Sequence, residues 1–207
     1  MLRPGLLPII DLTVCRMPLF ELVETLLDND ISQFILRSRG FSKEEYKECV
    51  ARLDDLKTGF EFDYLLHRHV DLLDDCQAAG VHLPSKGRNI AEVRAQLGTD
   101  VVLGCSVHGL EEAIFAEESG ADYVVLGAIF DTPKDHDNHP ILGLDELADT
   151  CEELEIPVFA VGGITPENLI SVQDTGTYGF SALRALFAGG DLDHNLSKLV
   201  WIWEQTP

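Results

Sequence analysis

Val158-Phe159-Ala160-Val161-Gly162-Gly163-Ile164-Thr165-Pro166-Glu167-Asn168 is an apolar run stopped by two glycines and followed by a helix-opening pair. Thr165 is a good N-cap residue, and Pro166 suits the first helical position, where its missing N–H is not needed. The stretch therefore reads as strand, glycine turn, helix start. Glycines at such a turn let backbone N–H groups approach a ligand that a Cβ would hold away, and the helix end that follows favours an anion. The plainer reading is a tight strand-to-helix turn with no ligand. Further on, Tyr178-Gly179-Phe180-Ser181-Ala182-Leu183-Arg184 repeats the arrangement with a cation added. Two adjacent strand ends of this kind form a phosphate cup from Gly162, Gly163, Ser181 and Arg184.

Outward from this stretch, glycines recur just ahead of expected strands, at Gly80, Gly98, Gly120 and Gly176. Glycine after a helix closes it in the left-handed conformation. Strands are expected at Leu6 to Ile10, Phe34 to Leu36, Asp63 to Leu66, Val81 to Leu83, Val101 to Leu103, Tyr123 to Leu126, Val158 to Val161 and Phe180 to Leu183. Helices are expected between them. They include Pro18 to Leu27, one opened by the capping box Ser42-Lys43-Glu44-Glu45, Val70 to Cys76, Leu110 to Ser119, Leu144 to Leu154 and Asp191 to Trp203. Strict alternation of this kind demands a parallel sheet. A doubly wound sheet would leave two units over, so the expected fold is one α/β domain over 1–207, a single (β/α)8 TIM barrel.

The 207 residues carry 36 acidic and 15 basic side chains, a formal charge of −21. That surface repels nucleic acid and anionic membranes, which excludes both as partners. It also suits a salt-rich cytoplasm, where screening relieves self-repulsion. The five cysteines are scattered without a C-x-x-C pair, as in reduced cytoplasmic proteins, and no stretch reads as a membrane span or signal peptide. The expected location is the cytoplasm.

In a barrel of this type, ligands bind at the loops following the strands, and phosphate binds after strands seven and eight. Seven of the fifteen basic residues fall in those loops: Arg37, Arg39, Arg68, Lys86, Arg88, Lys134 and Arg184. Together they make a positive mouth in a negative shell, suited to a small anion.

Several segments together resemble the thiamin phosphate synthase/TenI superfamily. They are Gln33-Phe34-Ile35-Leu36-Arg37-Ser38-Arg39, Leu65-Leu66-His67-Arg68-His69-Val70-Asp71, Gly80-Val81-His82-Leu83-Pro84-Ser85, Leu103-Gly104-Cys105-Ser106-Val107-His108, the run Gly120 to Phe130, and the Val161-Gly162-Gly163-Ile164 turn. The resemblance spans about Leu6 to Phe187. It implies a phosphorylated thiazole as ligand, with Ser106, Thr132 and Lys134 added to the binding residues, and it is compatible with a homodimer. In the synthase branch, a pyrimidine pyrophosphate is joined to a thiazole phosphate, with magnesium on the pyrophosphate held by an Asn-Asp pair after strand three and an aspartate after strand four. Here the matching positions are His67, Arg68 and Lys86. Cations there repel a metal ion, so no metal and no cofactor are expected unless the synthase alternative holds.

The Leu83-Pro84-Ser85 turn and the run from Ser106 to Ala113 are more similar to the TenI branch, whose thiazole tautomerase is a proton-transfer isomerase. The resemblance thus implies a tautomerase. A synthase with altered metal use and a catalytically silent phosphate-ligand binder are the alternatives. Ala128 stands where the tautomerase histidine belongs, leaving His139, His67 and His136 as replacement acid/base candidates. His82 and His108 read as structural residues or substrate contacts, and His194 as a surface residue.

Overall fold

The computed structural model describes residues 2–15, 17–87, 89–132 and 140–205. Among them the strands are β1 (Gly5–Leu6), β2 (Ile9–Asp11), β3 (Gln33–Arg37), β4 (Asp63–His67), β5 (Gly80–Leu83), β6 (Val102–Val107), β7 (Tyr123–Leu126), β8 (Val158–Val161) and β9 (Gly179–Ser181). The helices are α1 (Leu19–Asp28), α2 (Lys43–Leu56), α3 (Ile90–Leu97), α4 (Leu110–Glu118), α5 (Gly143–Glu153), α6 (Leu169–Gln173), α7 (Arg184–Phe187) and α8 (Leu192–Glu204). The strands pair in parallel in the order β1-β9-β8-β7-β6-β5-β4-β3-β2. This is the expected α/β class with a curled parallel sheet.

Nine strands stand where eight were expected because the first is split at Leu7-Pro8, and Pro8 has no N–H to give a ladder. The two halves serve opposite neighbours. Leu7 N donates to Phe180 O at 2.8 Å on one side, and Pro8 O accepts from Ile35 N at 2.8 Å on the other.

Both sheet faces are covered, which is why the strands read as unbroken apolar runs rather than alternating ones. On one face Ile35, Leu65, Val125 and Phe159 pack inside the curl. Their alternate neighbours Leu36, Leu66 and Val124 face outward to a larger core that includes Leu22 and Leu26 of α1 and Leu196 of α8. Each such buried side chain is worth about 1.5–3 kcal/mol. The capping box opens α2 as expected. Ser42 Oγ accepts from Glu45 N at 3.2 Å, and Glu45 Oε2 accepts from Ser42 N at 2.8 Å.

Three local expectations are corrected. The segment expected as a helix over Val70 to Cys76 is a 3-10 turn, Val70–Asp75, with only Val70 and Leu72 buried to anchor it. Thr165 caps no helix. Asn168 Oδ1 accepts from Thr165 N at 2.8 Å while its amide donates to Gly163 O at 2.9 Å, so the side chain holds a turn and α6 starts at Leu169. Gly98, Gly120 and Gly176 have the left-handed φ of helix-closing glycines, whereas Gly80 is the first residue of β5. A Cβ at Gly80 would lie 1.9 Å from Val102 O, so it is close strand packing that requires the glycine.

Candidate functional site

Because the strands are parallel, their carboxyl ends share one rim, formed by Asp11, Arg37, His67, Leu83, Val107, Leu126, Val161, Ser181 and the residues that follow them. The inner floor of that rim is built from hydroxyls and imidazoles. His82, 3% exposed, lies with Nε2 2.9 Å from Ser106 Oγ and Nδ1 2.9 Å from Tyr123 Oη. The His67 ring lies 6.5 Å from it at 19°, with Nδ1 3.1 Å from the buried Ser38 Oγ. Tyr46 Oη accepts from His67 N at 3.0 Å and donates to Leu36 O at 2.7 Å, tying β4 to β3. Burial, with Arg68 and Arg37 adding to it, pushes His67 down to about 4. Burial and the nearby His67 push His82 down to about 3. Both imidazoles are therefore neutral near pH 7. His108 Nδ1 donates to the Gly127 carbonyl, and its Nε2 lies 3.1 Å from Ser85 Oγ.

Above this floor stand the cations. Arg37 reaches within 3.8 Å of Asp11, whose Oδ1 also accepts from Thr13 N and Oγ1 at 3.0 and 2.6 Å. Arg39, Arg68, Lys86 and Arg184 are exposed. Arg68 has φ +63, a left-handed conformation that costs a non-glycine residue about 1 kcal/mol or more. Strain of this kind persists where surrounding structure holds it, and it clusters at ligand sites.

At the β8 and β9 ends, Gly162 and Gly163 have φ +97 and +66. Ser181, 1% exposed, has its Oγ buried without a hydrogen-bond partner. A buried hydroxyl left unpaired costs about 1–3 kcal/mol, and a ligand oxygen would relieve it. The glycines also have a steric reason. A Cβ at Gly162 would lie 2.6 Å from Ala128 Cβ, and one at Gly163 would lie 2.6 Å from Phe130 Cβ. The tight-turn reading is therefore sufficient for both glycines. Thr132 is half-buried at the end of the same loop. Four residues that the sequence assigned to the rim, Arg88, Lys134, His136 and His139, lie outside the described residues.

The fit to magnesium is poor. The resemblance sets Arg68 and Lys86 where it implies the two metal carboxylates, with His67 in place of the asparagine, and among the described residues no cluster of three His, Cys, Asp or Glu side chains could hold a metal ion. Asp71, the next carboxylate after β4, is paired with Lys43.

Two groups of the site escaped the sequence reading. Asp11 ends the first strand as an isolated acid in an apolar run, a signal that was available. Tyr123 sits in a run of strand residues that reads as core, and nothing in its own segment shows that its hydroxyl meets His82, 41 residues away.

Comparison with known proteins bears on which branch the chain follows. The family model described as thiamine monophosphate synthase matches residues 6–186. A protein of Syntrophomonas wolfei named thiamine-phosphate synthase is 31% identical over 187 residues, 90% of each chain. A protein of the same name from Clostridium novyi is 33% identical over 174 residues, 84% of this chain and 85% of its own. The solved thiamine phosphate pyrophosphorylase of Pyrococcus furiosus superposes with a TM-score of 0.85 at 28% identity, covering 97% of this chain and 96% of that one. These relatives overturn the tautomerase expectation, and the isomerase class with it. The Leu83-Pro84-Ser85 and Ser106-to-Ala113 segments that favoured that branch are short against a likeness running almost end to end. From Leu6 to Leu186, the chain belongs to the thiamine monophosphate synthase family.

Proposed function

We propose that this protein is a transferase of the thiamine-phosphate synthase type, joining a pyrimidine pyrophosphate to a thiazole phosphate and releasing inorganic pyrophosphate. The observation that carries the reading is similarity to synthases over most of the chain combined with the glycine turn and buried hydroxyl at the β8 and β9 ends. There the buried Ser181 hydroxyl lacks a partner beside the Gly162-Gly163 turn. In this reading the cup takes the thiazole phosphate, with Arg184 at its edge. Arg68 and Lys86, with Arg37 and Arg39, neutralise the pyrophosphate directly in place of a metal ion. A guanidinium fork suits such an anion geometrically as well as by charge. We also read the curled sheet as a closed barrel of eight units, with β1 and β2 as halves of one strand. Support for this is the hydrogen bonding of residues 5–11 to both β9 and β3. We place the protein in the cytoplasm on its five free cysteines. Among the described residues no helix is long and apolar enough to cross a membrane.

The test mixes the two substrates and follows pyrophosphate release with magnesium and with EDTA. Condensation that persists in EDTA is the expected result. No condensation under either condition overturns the transferase reading, whereas strict dependence on magnesium overturns the direct role of the cations.

Arg68 supplies a second check, because strain and binding predict opposite effects there. Arg68→Gly should leave thermal stability unchanged or raise it by up to about 1 kcal/mol, since glycine adopts φ +63 freely. The same change should weaken pyrophosphate binding by roughly tenfold, through loss of a charge-assisted contact. A variant that is destabilised and binds normally would make Arg68 a structural residue.

A further inference from the structure

We infer that Tyr123 fixes His82 as the Nε2–H tautomer, so that Ser106 presents its hydroxyl proton to an acceptor oxygen of the bound ligand. The imidazole lies between two hydroxyls, each 2.9 Å from one ring nitrogen. A neutral imidazole has one N–H and one lone pair, so the two hydroxyls must play opposite parts. Among the described residues, Tyr123 Oη has no hydrogen-bond partner other than His82 Nδ1. If Nδ1 carried the proton, the phenol would accept and its own O–H would be left unpaired in the interior, where Tyr123 is 1% exposed. Buried donors are rarely left so. With the phenol donating to Nδ1, Nε2–H donates to Ser106 Oγ, and both Tyr123 O–H and the imidazole N–H are used. Of these three side chains, only Ser106 keeps an O–H left to donate.

Geometry places that spare proton at the rim. Ser106 lies two residues beyond Gly104 on β6 and shares its inward face. Gly104 makes the arrangement possible, since a Cβ there would lie 2.0 Å from Cε1 and Cζ of Tyr123. Phe159 braces the ring edge-on at 5.8 Å and 83°. Burial keeps the phenol protonated and the imidazole neutral, so both states in this relay persist across the working pH range. His82 is therefore a positioning residue rather than a base, and Tyr123 positions it in turn. The class of ligand, a phosphate or pyrophosphate ester, rests on the transferase reading, whereas the tautomer does not.

The experiment is a long-range proton–nitrogen correlation spectrum of histidine-labelled protein at neutral pH, with His82 assigned by its loss in His82→Gln. A protonated Nε2 with an unprotonated Nδ1 is expected, and the reverse pattern overturns the inference. In Tyr123→Phe the preference should collapse to a mixture of the two forms. Unchanged Nε2–H dominance in that variant would remove Tyr123 from the relay. If Tyr123→Phe does not fold, the parent spectrum still decides. The ligand half is read by calorimetry with inorganic pyrophosphate, where Ser106→Ala should bind roughly tenfold more weakly. Equal affinity of that variant and the parent, or binding by neither, overturns the donor role. None of these measurements requires turnover, so an enzyme that fails to condense its substrates would refute the transferase reading and leave the tautomer assignment standing.

Discussion

Acidification from about pH 7 to about pH 5 should lower the urea unfolding midpoint steeply, by an amount corresponding to roughly 2 kcal/mol for each of two histidines. His67 is held at about 4 and His82 at about 3 in the folded protein, against an ordinary value of 6.5. Both are depressed, so below pH 6.5 the unfolded chain binds protons that the folded chain refuses. Stability present above pH 6.5 is then lost as pH falls toward 4 and 3, by about 1.4 kcal/mol per histidine for each unit. The opposing effect is relief of self-repulsion in a chain of charge −21. That relief needs carboxylates to protonate, which happens mainly below pH 5. Between pH 7 and 5 the histidine effect should dominate. His67 faces Arg68, Arg37, His69 and Asp11, and His82 faces His67, so removing one imidazole also relieves the other. The His82→Gln variant should be less stable at pH 7 yet show a much flatter slope. A midpoint that stays constant from pH 7 to 5 in the parent would mean that these imidazoles are protonated in the native state.

This acid sensitivity comes from the part of the site least legible in sequence. The strand ends could be read one at a time, because each glycine or proline that stops an apolar run does so through its own backbone chemistry. Gly162-Gly163 and the capping box at Ser42 were found in this way. The rim cations followed once the strands were ordered, because a parallel sheet puts all the loops after strands at one end. The polar floor could not be found like this. His82 meets Ser106 on the next strand and Tyr123 on the strand beyond it, and His67 meets Ser38 just past β3, at separations of 24 to 41 residues, and each partner looks like core or loop in its own segment. Gly104 shows the same limit. It reads as a weak point in a strand, while its purpose is the ring of Tyr123 pressed against it. The choice of branch failed for another reason. Short motifs such as Leu83-Pro84-Ser85 and the missing carboxylates point the same way, yet those few positions carry less information than similarity spread over most of the chain.

Gly163→Val should abolish anion binding and cost the fold about 3 kcal/mol or more, so the two losses arrive together. A turn designed only for a ligand would tolerate the side chain with the fold intact. Here the backbone at Gly163 has φ +66, which a β-branched residue adopts at a high energetic cost. The added Cβ would lie 2.6 Å from Phe130 Cβ, 2.8 Å from Asp131 O and 2.9 Å from Phe130 C. Two of those three atoms are backbone and cannot swing aside. The neighbouring loop is also pinned to this turn, since Ile129 N donates to Val161 O at 2.9 Å and Phe130 N to Gly162 O at 3.0 Å. Relieving the clash therefore means moving the loop after β7, and with it Thr132. A smaller change separates the two roles. Ser181→Ala removes the unpartnered hydroxyl from the cup without a steric demand, and should bind phosphate several-fold more weakly at unchanged or slightly higher stability. Thermal melts and phosphate calorimetry on both variants decide the point. If Gly163→Val melts like the parent, the steric account of the turn fails. If Ser181→Ala binds phosphate as the parent does, the cup lies elsewhere on the rim.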